Sequence, residues 1–241
     1  MKKFAFTLAE VLITLTVIGV VAAMVLPNLA KNYQNKTLET QTKHFYSMMT
    51  LAIQNYMADN KVDDLTDTPM YCAKFERYGT GCLRAKKELD NFVMRYLKVA
   101  QVCERVQDGH ATSQNKCYRQ EAKVIDKTSP NHSEYTPRYI LMNGYAIYIE
   151  APGTMDNDYP MKLLVDVNGQ KGPNRGGRDI WDLWVHYDGT INEKVLTPEC
   201  VSDESCMSRY RSGAYGGDCL TSYFGTGCFG RFKDNGFKFD Y

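Results

Sequence analysis

One stretch near the start governs what this chain can become: residues 11–26 carry no charged side chain. The apolar run reaches back to Phe4 once Glu10 is accepted within it. As a helix, residues 4–26 are long enough to cross a bilayer core, which takes about 20 residues. Lys2 and Lys3 precede the run as a short basic flank, which the positive-inside tendency keeps in the cytoplasm. A removed signal peptide would place a small-residue cleavage site behind its apolar core. Here Ala22, Ala23 and Met24 lead into more apolar residues, Pro27 and a helical continuation. The segment therefore reads as retained.

Glu10 breaks the pattern. A carboxylate costs about 2.5–3.5 kcal/mol near the centre of a spanning helix and less near an interface. No cationic partner lies within the segment itself. Either headgroups solvate Glu10 at the cytoplasmic interface, or a positive charge reaches it from another molecule.

The rest of the 241 residues fits one soluble head, polar and rich in tyrosine. A formal net charge of +1 offers no argument for a nucleic-acid groove, and no nucleic-acid partner is expected. Eight cysteines follow the apolar segment: Cys72, Cys82, Cys103, Cys117, Cys200, Cys206, Cys219 and Cys228. None forms a Cys-x-x-Cys pair, so a zinc ribbon or a thioredoxin-like motif is unsupported. An even set of spaced cysteines beyond a membrane segment points to disulfides in an oxidising compartment. Short loops close at small entropic cost, which favours neighbour pairing, although spacing alone leaves the connectivity open.

After Pro27, the residues Leu29, Tyr33, Leu38, Phe45, Met49, Ala52, Ile53 and Tyr56 recur at spacings near three and four, the pattern of an amphipathic helix. One helix from about Phe6 to Asp59 would run on the order of 80 Å. Residues 60–84 read as a loop, and residues 85–103 as a second amphipathic helix. Residues 109–137 read as polar and irregular, with His110 and His132 on exposed loops. A hairpin follows at residues 138–150, because Asn143-Gly144 supplies the positive φ that strand twist prefers. Residues 161–167 and 180–187 give two more strands, with a further turn at Asp188-Gly189. The expected fold is α+β, a long N-terminal helix packed on an antiparallel meander. The Gly-, Cys- and aromatic-rich tail from Thr197 onward should wrap the head and fill its surface.

The opening Lys2-Lys3-Phe4-Ala5-Phe6-Thr7-Leu8-Ala9-Glu10, followed by an apolar helix, resembles the prepilin-type cleavage and methylation motif of type IV pilins and type II secretion pseudopilins. The resemblance implies that a prepilin peptidase cuts between Ala5 and Phe6 and methylates the new terminus. This chain has Ala5 where the family usually has glycine, so cutting is expected to be retained but slower. The resemblance also gives Glu10 its partner, the terminal amine of a neighbouring subunit, and places Gly19 and Pro27 at helix-softening positions. It divides the chain into a leader at 1–5, a membrane or filament-core helix at 6–31 and a periplasmic or extracellular head at 32–241. It implies a single pass through the bacterial inner membrane, N-terminus inside, before transfer to a pilus, pseudopilus or cell surface.

One loop suggests a metal. Asp166, Asn168 and Gln170 alternate, the Gly172 carbonyl follows, and Asp179 closes the segment; calcium takes six to eight oxygens from such positions. Against it stand only two carboxylates and three cations, Lys171, Arg175 and Arg178; Asp, Asn and Gly also form ordinary turns. The turn is the stronger reading, and no other cofactor is expected. The four histidines, His44, His110, His132 and His186, lack any mutual spacing, and no nucleophile elbow or phosphate loop occurs. A structural subunit is therefore expected, not an enzyme. A minor pilin or anchored protein whose head binds a ligand or surface, for adhesion or DNA uptake, is the alternative.

Overall fold

The computed structural model describes residues 7–71, 80–107, 110–113, 117, 120–125, 132–150, 161–212, 219–220 and 222–241. Helix α1 spans Leu8–Asn60, 53 residues without a break, or about 80 Å at 1.5 Å per residue. Thr7 caps its start, and Lys61 ends it in the left-handed conformation at φ 56°. The two halves of α1 live in different surroundings. Leu38, Thr42, Phe45, Met49, Ala52, Ile53 and Tyr56 are buried against the head, on the stripe that helical periodicity predicts. Leu29 and Tyr33, expected at the start of that stripe, are instead 60% and 75% exposed. The head's grip on α1 begins only around Gln34, whose Nε2 donates to the Gly172 carbonyl.

Helix α2 covers Thr80–Tyr96. It stops short of the expected end at Cys103, because Val99–Val102 forms strand β1. Sheet pairing wins there over helical spacing: Val99 lies opposite Leu141 and Val102 opposite Tyr139. Strands β2 (Glu104–Gln107) and β3 (His110–Ser113) form one ribbon, and β4 (Gln120–Lys123) and β5 (His132–Tyr135) another. This corrects the reading of residues 109–137 as irregular, and it places His110 and His132 on strands. Such ribbons are mostly polar, so no alternating apolar face announces them.

The main sheet is completed by β6 (Tyr139–Leu141), β7 (Ala146–Glu150), β8 (Met161–Asp166), β9 (Ile180–Val185) and β10 (Ile191–Asn192). Its order, β1-β6-β7-β8-β9-β10, is an antiparallel meander. The four strands read from the sequence form its middle. Gly144 at φ 88° and Gly189 at φ 79° make the two predicted turns, conformations that cost glycine little. Alternate residues of β8 and β9, such as Leu163, Val165, Trp181 and Leu183, point into one core with α1.

Among its described residues the tail contains three short helices, α3 (Pro198–Ser202), α4 (Glu204–Arg211) and α5 (Phe229–Asp234). Its aromatics close the core around Trp181, whose ring meets Phe229, Phe232 and Phe239. The indole N–H donates to Thr42 Oγ1 of α1 at 3.1 Å, satisfying the ring's one polar atom inside the core. Disulfides Cys103–Cys117, Cys200–Cys206 and Cys219–Cys228 join neighbours in sequence. Cys72, and with it any pairing to Cys82, lies outside the described residues.

The tail is seated against the β8–β9 loop by glycine contacts. A Cβ on Gly176 would collide with backbone atoms of Tyr223 and Gly225, neither of which can swing aside. The Gly176→Ala variant is therefore expected to lose about 3 kcal/mol of head stability, at the upper end for overpacking, measured by denaturant unfolding. A loss within experimental error would show that the tail seats elsewhere.

Candidate functional site

The first turn of α1 is tied by a reciprocal pair. The Glu10 backbone N–H donates to Thr7 Oγ1 at 3.3 Å, while the Thr7 N–H and hydroxyl each donate to Glu10 Oε2 at 2.8 Å. This capping box satisfies donors that a helix start otherwise leaves unpaired. It also sets a carboxylate at the positive end of the helix dipole. Ala5 and Phe6, where cleavage is expected, lie outside the described residues.

Beyond this turn the helix is bare. Leu12, Ile13, Leu15, Ile18, Val21 and Met24 are all exposed, and among the described residues α1 is the one helix long and apolar enough to cross a membrane. Gly19 has open space where a side chain would stand. Pro27 sits inside the helix without ending it, although its missing N–H removes one rung of the hydrogen-bond ladder.

The second candidate is the β8–β9 loop. Asp179 Oδ2 accepts from the Asn174 N–H at 2.8 Å and from Asn168 Nδ2 at 3.2 Å, and Oδ1 accepts from the Arg175 N–H at 2.7 Å. Asp166 Oδ1 accepts from the Asn168 N–H at 3.0 Å, and the Gly172 carbonyl accepts from Asn168 Nδ2. Four of the five predicted ligands thus converge, whereas Gln170 is exposed and outside these bonds. Among the described residues, the buried amide oxygens of Asn168 and Asn174 meet no donor. Burial pushes the Asp179 carboxyl up to about 6, against the pull of its donors. Among the described residues no three His, Cys, Asp or Glu side chains gather as a metal set. His44 bonds to the Tyr145 hydroxyl and His186 to the Glu193 carbonyl, far from any shared site.

Sequence patterns gave no sign of Glu193, which is 2% exposed. Its carboxylate accepts the backbone N–H groups of Gly227, Phe229 and Gly230, clasping the Cys219–Cys228 loop to the end of β10. Two of its donors are glycines and all three are main-chain groups, so no side-chain motif marks the contact.

An unburied apolar helix with a glutamate in its first turn thus precedes an α+β head. Residues 1–26 match the family model of the prokaryotic N-terminal methylation motif, the signature of type IV pilins and pseudopilins. No curated protein and no solved structure matches the chain.

Three buried carboxyls give the head a pH dependence. Burial raises Glu193 to about 7 and Asp179 and Asp182 each to about 6. The folded state then keeps protons that the unfolded chain has released, so the contribution is full below the ordinary carboxylate range and is lost as pH rises through about 6 to 7. Thermal unfolding should therefore show Tm falling from pH 5 to pH 8, and Glu193→Gln should flatten the upper part of that decline. A Tm that climbs across the interval would contradict the assignment.

Proposed function

We propose that this chain is a structural subunit of a type IV pilus-like filament or a type II secretion pseudopilus, not an enzyme. Prepilin peptidase cuts between Ala5 and Phe6 and methylates Phe6, and the subunit waits in the inner membrane with its head on the periplasmic side. The observation that carries this reading is the exposed apolar half of α1 opened by the Thr7–Glu10 pair, taken with the methylation motif over the same residues. Once drawn from the bilayer, that half-helix must be covered, and other subunits' helices are the cover of matching chemistry. Glu10 sets the register: its carboxylate exchanges the Thr7 donors for the methylated amine of a neighbouring Phe6, because a buried charge requires a counter-charge. The β8–β9 loop serves the head as a cross-linked turn, with Asp179 already holding two backbone N–H groups.

Mass spectrometry of the mature protein should find N-methylated Phe6 as the first residue; a terminus still beginning at Met1 in assembled fibres would refute the processing. The Glu10→Ala variant should insert in membranes as well as the parent yet enter filaments at least tenfold less, in keeping with loss of a charge pair worth more than about 1.4 kcal/mol. Normal incorporation would rule out the register mechanism. Calorimetric titration of the full chain with calcium should give no heat of binding at the β8–β9 loop, and saturable binding lost in Asp179→Asn would replace the turn with an ion site.

A further inference from the structure

The end of the head nearest the bare half of α1 gathers cations that form no ion pair with a described residue. Lys31 and Lys36 are exposed on α1 just past the apolar segment. The contact of Gln34 with the Gly172 carbonyl brings Lys171 to the same level. The Phe239 N–H, bonded to Glu39 at 2.9 Å, brings Lys238 beside them. All four lysines are exposed, and none is ion-paired to a described residue. Of the acids nearby, Asp240 is held by Arg231 at 2.9 Å and Glu39 accepts the neutral Phe239 N–H, so the four lysines outnumber the one carboxylate among them that lacks a cationic partner.

We propose that Lys31, Lys36, Lys171 and Lys238 form a cationic collar that docks the base of the head on the anionic headgroups of a phospholipid bilayer. This rests on the membrane-anchored reading above and adds the surface and the lipid chemistry it contacts. Geometry sets the distance. From Leu29 to Lys36 the helix rises about 10 Å, and headgroup layers extend about 5–7 Å beyond the hydrocarbon. Every collar ammonium can therefore reach the headgroups or lie within a Debye length of their phosphates, about 8–10 Å at physiological salt. Basic residues beside a spanning helix are ordinarily explained as cytoplasmic retention signals. These four stand on the opposite side of the apolar segment from Lys2 and Lys3, so that rule leaves them unexplained. Attraction to anionic headgroups on the head's own side of the bilayer accounts for their position. Exposed Leu29 lies between the apolar segment and the collar, and Tyr33 (75% exposed) stands within it, between Lys31 and Lys36, where a tyrosine suits the interface between lipid and water.

The test uses the full chain in lipid nanodiscs of phosphatidylcholine alone or of phosphatidylcholine with phosphatidylglycerol. Lysine acylation is read residue by residue by mass spectrometry. In the anionic discs, modification of Lys31, Lys36, Lys171 and Lys238 should fall by about threefold or more at low salt and recover at high salt. Lys61, at the far end of α1, should react alike in both discs. Lys36→Glu combined with Lys171→Glu should abolish the difference at Lys31 and Lys238 while the far-UV spectrum stays that of the parent. Equal labelling of the collar in both discs overturns the proposal and leaves the membrane anchor standing. Protection that tracks the number of chains per disc, whatever the lipid, also overturns it and assigns the collar to a second copy of the chain. Failure of the chain to enter either disc removes the anchor reading and the collar with it.

Discussion

A single unbroken helix has to satisfy two solvents, and every other part of the molecule is arranged around that demand. From Leu38 to Tyr56, α1 offers a stripe that the sheet and the tail bury. Below Gln34 it offers apolar side chains on all sides with no described residue of the head burying them. The hydrophobic effect leaves no neutral option for such a surface. Lipid or other apolar helices are covers of matching chemistry for it, and the proposed assembly would carry it from the first to the second.

The head's construction follows from gripping only half of that helix. The meander supplies one apolar face, and α1 with Leu89, Phe92 and Val93 of α2 covers part of it, leaving the flank around Trp181 open. The tail fills it with Phe229, Phe232, Phe237 and Phe239 packed around Trp181. Because the tail has few regular hydrogen bonds of its own, it is fixed by particular contacts instead: the Glu193 clasp, the Gly176–Gly225 approach and the Cys219–Cys228 bridge.

How much of this could be read in advance depended on whether a residue's role is local. The α1 stripe, the Asn143-Gly144 hairpin and the central strands were legible, since each is written in spacing or turn chemistry. The start of the stripe was misplaced at Leu29 because periodicity reports an apolar face without naming what covers it. Val99–Val102 joined the sheet against its helical spacing, since the partner that decides its state, β6, lies some forty residues away. The polar ribbons and the Glu193 clasp left no trace at all: their bonds are made by main-chain groups that every residue type carries. At the candidate site, Thr7 and Glu10 sit one helical turn apart, yet the lone carboxylate pointed to a missing cation and the neutral donors of Thr7 were passed over, and the cleavage position rests on the motif alone.

The three described disulfides each close a short loop within the head, and none joins the head to α1. Tension applied to the free end of the helix is therefore not shared by any of these covalent bridges. It enters at Leu38 and is borne by side-chain packing and a few hydrogen bonds, such as Trp181 to Thr42. Under load the helix would be pulled from the sheet while these sulfur bridges kept the remaining fold intact, so the helix–sheet seam, not these cross-links, sets how firmly the head holds α1.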